Sequence, residues 1–514
     1  MSTQTSRAFH AASLAAQPVE VDGGSIAGIA SDDGATIAFR GVPYAAPPLG
    51  ELRWRPPQPV VPWSGVRRCE AFAPICAQPA RPERSIFLEY AGPQAMSEDC
   101  LYLNVFVPSD RPAEKIPVMV WIHGGAFQVG SGTNATFVRG DLTRRGVILV
   151  TLNYRVNAFG FLSHPALTEE SGQGASGNYG LMDQIAALQW VRRNIGAFGG
   201  DAGSVTVFGQ SAGGASIVNL MASPLAVGLF DRAIVQSVAY MQVMGRPEAE
   251  QQGLDFMARA GADSLAALRA LPAETIVEVS KETQPMMWPS VDGWVMPETA
   301  DAAFAAGRQM NVPMLAGWTR DEGTVFPGFD SAIEFGAALQ AQFGGASADA
   351  LTYYPADTDV AARESSIRIN GDALAGAGVW KAARAHAASG RPVYLYHFEH
   401  AQPFFDGQSY REGTPADTLG VFHSAEYPYV FGTLNELTRP WTGADRRVTE
   451  LMQQYWVTFV CTGMPNGEGL PTWTPFSADD DRTMRLREKP SMGPIPRLDA
   501  LRFLVATGMI GRFL

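Results

Sequence analysis

A serine flanked by glycines, at the junction of an apolar strand and a helix, restricts the fold of this chain more than any other sequence feature. The run 205–208 (VTVF) is typical of a buried strand, and it leads directly into the segment 209–213 (GQSAG) and a helical stretch. A tight strand-to-helix turn leaves no space for side chains beside the serine, so the motif requires Gly209 and Gly213. The pattern predicts that Ser211 is a nucleophile held on a strained turn; an ordinary glycine-rich turn is the alternative.

Strands and helices alternate on both sides of this turn, which predicts an α/β fold with a large, mostly parallel sheet flanked by helices. Strands are predicted over 118–122, 146–154, 205–208, 233–237, 312–317 and 393–398, and a helix over 181–195. Two stretches with Ala-rich helical spacing, about 242–306 and 327–390, are expected to be insertions that roof the sheet. No repeat or charged linker divides the chain, so residues 1–514 are predicted to form a single domain.

Composition agrees with a globular protein and argues against several classes of function. The 514 residues are 46% hydrophobic and 18% charged, as expected for a chain with a sizeable core. The formal net charge of −12 gives no long-range attraction to polyanions, so no nucleic-acid partner is expected. No apolar run approaches the roughly 20 residues of a membrane-spanning helix. No Cys/His cluster suggests a metal, and no cofactor is expected.

A glycine pair at the end of another predicted strand supplies the anion site that a serine nucleophile needs. Gly124 and Gly125 follow the strand 118–122 and His123. Glycines let the backbone approach a ligand closely, so their N–H groups can join that of Ala212 around a developing oxyanion. His123 directly precedes the pair, and it is expected to orient this loop rather than to act as a base.

Among the four histidines that follow Ser211, His423 is the best candidate for the base. His386 lies in a predicted helix and is expected to be a surface or packing residue. His397 and His400 stand three residues apart in an extended segment and face opposite sides, which argues against a metal pair. His423 lies in a loop before an aromatic segment, where a merely hydrogen-bonded histidine is the alternative.

The acid that orients this base is expected just after the strand 312–317, where two carboxylates stand side by side. Asp321 and Glu322 precede Gly323 past the carboxyl end of that strand. An acid placed between nucleophile and histidine in the chain fits the order Ser, Asp/Glu, His. These residues alone do not separate Asp321 from Glu322, and either could be a solvated loop charge.

Several motifs follow one another along nearly the whole chain: 41–44 (GVPY), 97–104 (SEDCLYLN), the 124–125 glycine pair, 153–155 (NYR), 177–180 (GNYG), the 209–213 turn, 321–323 (DEG) and His423. In this set the chain resembles the type B carboxylesterases, a family of α/β-hydrolase fold that includes cholinesterases and bacterial p-nitrobenzyl esterases. The resemblance implies a serine hydrolase that cleaves carboxylic esters through an acyl-enzyme intermediate. The expected partner is therefore a small-molecule ester.

The resemblance also implies roles for particular residues. The matching family loop has its glutamate directly before the glycine, which implies that Glu322 is the acid of a triad with Ser211 and His423. It further suggests that Ser237 lies behind the triad. One departure is Gln210, because the family usually has glutamate directly before the nucleophile.

The cysteines are interpreted through the same resemblance. It implies a bridge between Cys76 and Cys100, which would close a loop of about 24 residues and could stabilise the fold by roughly 3 kcal/mol. In a reducing cytoplasm the two thiols could remain free. Cys69 and Cys461 have no partner by this matching and are expected to be reduced.

The expected substrate is an uncharged ester with a short to medium acyl chain. Gln210 removes a negative charge beside the serine, so a choline ester is not expected. Phe127, after the oxyanion loop, and Phe326, past the acid loop, are expected to narrow an apolar acyl pocket, although Phe326 could equally be core packing. The alternatives are a lipase, a specialised ester hydrolase or an amidase. From another class, a catalytically inactive binding protein is disfavoured because serine, acid and histidine are all present.

The N-terminus bears on location. Arg7 precedes a weak apolar run over 8–16 that His10 and Ser13 interrupt, which predicts a loose tail rather than an export signal. A cytoplasmic location is therefore expected, with export as the alternative. The sequence yields no prediction of oligomeric state.

Overall fold

The computed structural model describes residues 15, 17–91, 94–110, 114–138, 141–512 and 514. Apart from Ala15, the N-terminal run whose alternatives are a loose tail and an export signal lies outside these residues. None of the described helices combines the length and the apolar character needed to cross a bilayer.

An eleven-stranded mixed sheet organises the described part of the chain. In chain order its strands are β1 Ile29–Ala30, β2 Thr36–Pro43, β3 Tyr102–Pro108, β4 Ile116–Ile122, β5 Ile148–Leu152, β6 Gly200–Gln210, β7 Arg232–Gln236, β8 Met314–Thr319, β9 Val393–Phe398, β10 Arg482–Leu486 and β11 Ser491–Pro494. Their order across the sheet is β11-β10-β9-β8-β7-β6-β4-β5-β3-β2-β1. The strands from β5 to β10 in this order are parallel, and antiparallel pairs lie toward both edges. The predicted mostly parallel sheet is confirmed.

Helices cover this sheet. In chain order the described α-helices are α1 Ile86–Ala91, α2 Ala135–Val138, α3 Asn157–Phe161, α4 Pro165–Glu170, α5 Tyr179–Asn194, α6 Ala212–Ala222, α7 Arg246–Arg259, α8 Leu265–Ala270, α9 Ala273–Glu282, α10 Ala300–Ala305, α11 Ala332–Phe343, α12 Ser347–Tyr353, α13 Asp359–Gly371, α14 Ala377–Ala387, α15 Tyr427–Phe431, α16 Gly443–Thr462 and α17 Leu498–Ala506. A π-helical turn over Asp372–Gly376 joins α13 to α14. Small sheets pair Val19–Val21, Gly24–Ala27 and Val66–Arg68, then Ile75–Cys76 with Met96–Ser97, and Met244–Gly245 with Ser290–Val291.

The continuous apolar runs of the central strands arise because both faces of the sheet are covered. In β4, Val118, Val120 and Ile122 belong to the core on one face, whereas Met119 and Trp121 belong to the core on the other. A strand buried on both faces gains nothing from polar alternation, so its sequence is apolar throughout. This explains why the central strands could be predicted from their continuous apolar runs.

One strand is longer than its pattern predicts. β6 begins at Gly200, which pairs with Ile116, and a bulge separates this pair from Val205 opposite Val118. The residues between the two pairs, 201–204 (DAGS), are small or polar and carry no strand signal. The apolar run therefore marks only the second half of β6.

The bridge implied for Cys76 and Cys100 is not formed in this structure. Both residues are buried and carry free thiols, as do the buried Cys69 and the exposed Cys461. The Cys100 thiol hydrogen bonds with Cys76, and this bond together with burial raises the pKa of Cys100 well above its usual value. The two sulfurs are thus neighbours without being bonded.

Candidate active site

The turn that carries Ser211 joins β6 directly to α6, as predicted. Ser211 has φ 59° and ψ −127°, an uncommon conformation for a residue with a side chain. Its amide donates to Gln236 O at 3.0 Å on the neighbouring strand. A Cβ atom on Gly213 would lie only 2.0 Å from Ile122 O, so this position must be glycine. The strained conformation of the turn is maintained by contacts with the two strands β4 and β7.

The glycine pair lies against this turn. A Cβ atom on Gly124 would lie 2.6 Å from Gln210 O and 3.0 Å from Ser211 Cβ, which places Gly124 beside the serine. Gly125 has φ +118°, a conformation that favours glycine. In the described chain the amides of Gly124, Gly125 and Ala212 donate to no protein acceptor. Three N–H groups near one serine are thus available to a ligand oxygen.

His123 has the environment of a loop-orienting residue. Its Nδ1 lies 2.9 Å from Gly124 O, and its ring stacks on Tyr154 with centroids 4.2 Å apart. Burial lowers the pKa of His123 to about 4, so the ring is neutral at physiological pH. Its position fits the expected orienting role.

His423 meets the carboxylate that follows β8. His423 Nδ1 lies 2.5 Å from Glu322 Oε2, and Glu322 Oε1 accepts the Thr319 amide at 2.7 Å. Both side chains are buried, with Glu322 only 2% exposed. Among the described residues no hydrogen bond joins Ser211 Oγ to His423, although both line one cavity. Such contacts are often longer in unliganded sites than in the reacting complex.

The neighbouring carboxylate has a different task. Asp321 Oδ2 accepts the Val421 amide at 2.8 Å, and the Asp321 amide donates to Val421 O at 3.0 Å. These bonds hold the segment that carries His423. The two adjacent acids are thus distinguished by geometry: Asp321 binds the backbone of the histidine loop, and Glu322 binds the imidazole.

Gln210 and Ser237 lie close to this pair. Gln210 Nε2 is 3.2 Å from His423 Nε2 and 3.3 Å from Nδ1, so the amide lies over the ring, and Tyr427 donates its O–H to Gln210 Oε1 at 2.5 Å. Ser237 directly follows β7 with φ +68° and is completely buried. Its Oγ has no partner in the described part of the chain.

A cavity of about 610 Å³ opens at Ser211. One part of its lining is apolar, formed by Val238, Met241, Met286, Trp288, Val325, Phe326 and Leu374. Another comes from residues 75–96 and 128–137 and includes the amides Gln78, Gln94 and Asn134. Arg81 is the only formally charged lining residue in the described chain, and the sequence reasoning did not single it out.

The two phenylalanines differ. Phe326 lines the cavity, as expected. Phe127 does not: it is 0% exposed and packs edge-on against Phe161 with centroids 5.1 Å apart. Its φ of +60° belongs to the tight turn of the glycine loop, which directs the ring into the core. The prediction that Phe127 narrows the acyl pocket is therefore wrong.

A buried acid behind the site was also missed. Glu426 is 0% exposed and accepts hydrogen bonds from Gln236 Nε2 at 2.8 Å and from the Tyr396 hydroxyl at 2.9 Å. Burial raises the pKa of Glu426 to about 8. Its place three residues after His423 is the only sequence signal that could have drawn attention to it. No group of three or more potential metal ligands occurs among the described residues.

The raised pKa of Glu426 predicts a pH-dependent stability. The folded protein keeps this proton up to about pH 8, whereas the unfolded chain releases it near the ordinary carboxyl pKa. Stability is therefore expected to fall as pH rises through this window, by at most about 1.4 kcal/mol per pH unit. Glu426→Gln should remove this fall, measured as the urea midpoint at several pH values. Glu364→Gln, on the exposed surface of α13, should keep the wild-type slope, and identical slopes in all three proteins would contradict the prediction.

The parallel sheet, the strained serine turn after β6, and the acid and histidine that follow β8 and β9 define an α/β-hydrolase. The chain belongs to the carboxylesterase family, whose model matches residues 15–504. It is therefore a hydrolase of carboxylic esters.

Relatives of known activity extend this similarity over most of the chain. Fumonisin B1 esterase of Sphingopyxis macrogoltabida is 35% identical over 475 residues, covering 88% of this chain and 83% of that protein. Para-nitrobenzyl esterase of Bacillus subtilis (strain 168) is 36% identical over 471 residues, covering 87% and 90%. A solved PNB esterase matches with a TM-score of 0.82 at 33% identity, covering 95% of this chain and 99% of that one. A thermophilic PNB esterase matches with a TM-score of 0.83 at 33% identity, covering 95% and 100%.

Proposed function

We propose that this esterase acts through a Ser211–Glu322–His423 triad and an oxyanion hole formed by the amides of Gly124, Gly125 and Ala212. The observation that carries the proposal is the 2.5 Å contact between His423 Nδ1 and Glu322 Oε2 in the cavity that Ser211 also lines. The role of Ser211 is tested by alanine replacement, as set out in the Discussion.

The reaction follows from these positions. His423 Nε2 accepts the Ser211 proton while Oγ attacks the ester carbonyl carbon. Glu322 stabilises the imidazolium that forms, and the three amides stabilise the oxyanion of the tetrahedral intermediate. The intermediate collapses, the C–O bond to the alcohol breaks, and His423 protonates the departing oxygen. Water, deprotonated by His423, then attacks the acyl-enzyme and releases the acid with free Ser211.

The chain is proposed to work as a single domain whose segments 242–306 and 327–390 roof the site. Helices α7–α10 and α11–α14 lie in these segments. Met286, Trp288 and Leu374 from the two segments line the cavity, and Trp288 Nε1 donates to Ala126 O at 2.9 Å. This bond ties the first segment to the oxyanion loop.

The acyl group is proposed to be short to medium in length. A cavity of about 610 Å³ accommodates a small ester, and its apolar lining of Val, Met, Trp, Phe and Leu side chains suits an alkyl chain. A quaternary ammonium finds no carboxylate among the described lining residues, since Gln210 is uncharged. A cytoplasmic location is also proposed, with export as the alternative.

The size limit is tested by the rates for esters graded in acyl length. We expect kcat/KM for p-nitrophenyl acetate and butyrate to exceed that for p-nitrophenyl palmitate and for butyrylthiocholine by at least about tenfold, a gap of about 1.4 kcal/mol in transition-state binding. All four substrates are measured on one preparation. A tenfold advantage for the palmitate or the choline ester would refute the proposed pocket and leave the triad untouched.

A further inference from the structure

The cavity at Ser211 contains a single formal charge among its described lining residues. That charge is Arg81, which follows Gln78, Pro79 and Ala80 along the wall. The described lining includes no aspartate, glutamate or lysine. The described wall is therefore largely apolar and includes one cationic residue.

Arg81 is unusual among the described arginines that are at least half-buried, because it has no hydrogen-bond or ion-pair partner there. In the described chain it donates no hydrogen bond and forms no ion pair, although it is half-buried. The fold pairs its fully buried arginines with carboxylates: Arg53 with Glu98, Arg155 with Asp183, Arg269 with Glu170 and Arg439 with Glu89. Burial lowers the pKa of Arg81, yet a guanidinium remains charged at neutral pH. A half-buried cation without a partner is costly, and an anionic ligand would offset that cost.

The acid whose charge acts on Arg81 does not neutralise it through an ion pair. Glu412 is the only carboxylate whose charge raises the pKa of Arg81. Its two oxygens already accept the Ser85 hydroxyl at 2.8 Å and the Ile86 amide at 2.9 Å. Glu412 thus holds the start of α1, and Arg81 lines the cavity without a hydrogen-bond or ion-pair partner among the described residues.

The surroundings of Arg81 indicate which half of an ester it meets. Its charge opposes the rise that burial causes in the pKa of Tyr427. The Tyr427 hydroxyl binds Gln210, and the Gln210 amide lies over the His423 ring. The departing alcohol must lie against His423 to receive its proton. Arg81 lines the same cavity as Tyr427, Gln210 and His423, and this shared wall is the basis for assigning Arg81 to the side from which the alcohol leaves.

We infer that Arg81 binds a carboxylate carried by the alcohol half of the ester, so that acidic esters are the preferred substrates. A guanidinium offers two parallel N–H donors that match a carboxylate, and this geometry adds specificity as well as energy. The inference rests on the proposed triad, and it departs from the expectation of an uncharged substrate. That expectation followed from Gln210, which does not report a lone arginine inside the cavity.

The test compares two aryl esters of nearly the same shape, 4-acetoxybenzoate and 4-acetoxybenzamide. The measured quantity is the ratio of their kcat/KM values, acid over amide, in wild type and in Arg81→Gln. Arg81→Gln is expected to lower this ratio at least about tenfold. Arg84→Gln is the matched control, because Arg84 lies three residues further along the same loop, is exposed and bonds to Ser409 outside the cavity. It should keep the wild-type ratio.

The outcomes separate this inference from the proposed function. An unchanged ratio in Arg81→Gln, or an equal loss on both esters, overturns the carboxylate role, while Ser211-dependent hydrolysis of the amide ester leaves the triad standing. If Ser211→Ala hydrolyses the amide ester as fast as wild type, the triad itself fails. A second pair, mono-4-nitrophenyl glutarate and 4-nitrophenyl butyrate, places the carboxylate in the acyl half. An Arg81-dependent preference confined to that pair overturns the assignment to the alcohol half.

Discussion

Replacing Ser211 with alanine is expected to lower kcat by about 10⁶ without unfolding the protein. The substitution removes the nucleophile but leaves the strained turn, whose backbone is held by Gln236 O and by the close approach of Gly213 to Ile122. The measurement is steady-state hydrolysis of p-nitrophenyl acetate, with circular dichroism to confirm the fold. Undiminished turnover by folded protein would exclude Ser211 as the nucleophile.

The same experiment extends to the base. His423→Ala should cost nearly as much as Ser211→Ala, and the double variant should be little worse than either, because a nucleophile and its base act as one unit. His386→Ala is a suitable control for loss of an imidazole. His386 is buried against Gln309 and Val312 O and is not among the described residues that line the cavity. Additive losses in the double variant would indicate a different base.

Glu322→Gln is expected to lower kcat by about 10⁴, whereas Asp321→Asn should have a far smaller effect. Among the described carboxylates only that of Glu322 bonds to His423, and in the proposed triad it both selects the tautomer with a proton on Nδ1 and stabilises the imidazolium. Asp321→Asn is matched in chemistry and differs by one position. Its amide oxygen can still accept the Val421 amide, so the loop should be retained.

The comparison is made on kcat at saturating ester, with thermal unfolding of both variants recorded. A greater loss for Asp321→Asn at unchanged stability would assign the acid to Asp321 and remove Glu322 from the triad. Equal, small losses would show that neither carboxylate orients His423 in the rate-limiting step.

The structural features that could be predicted from the sequence are those set by short-range constraints. The Ser211 turn and the Gly124–Gly125 loop each follow an apolar strand, and their glycines are required by contacts within a few ångströms of the backbone. The central strands were predictable because burial on both faces leaves a continuous apolar run. Asp321 and Glu322 could be separated only by resemblance, because the distinction depends on a contact with a loop about 100 residues further along the chain.

The residues that were missed or misplaced are those whose role depends on long-range packing. Arg81 lies in a polar loop whose sequence is typical of solvated surface, and only the assembled cavity shows it in the wall without a partner among the residues that the structure describes. Glu426 becomes notable through burial against Gln236 and Tyr396, which come from two other strands. Phe127 was misplaced because its side-chain direction depends on a positive φ, which the residues around it do not predict.

The pairing of β4 with β6 fixes the position of the Ser211 turn relative to the Gly124–Gly125 loop. Gly209 pairs with Ile122 in this ladder, so the nucleophile turn and the oxyanion loop leave two hydrogen-bonded strands at adjacent positions. The distance between them is set chiefly by main-chain bonds in the centre of the sheet. The segments 242–306 and 327–390 are therefore the natural targets for loop grafting or directed evolution of selectivity, with Trp288, which bonds to Ala126 O, and Gly371, which packs against Gly323, kept in place.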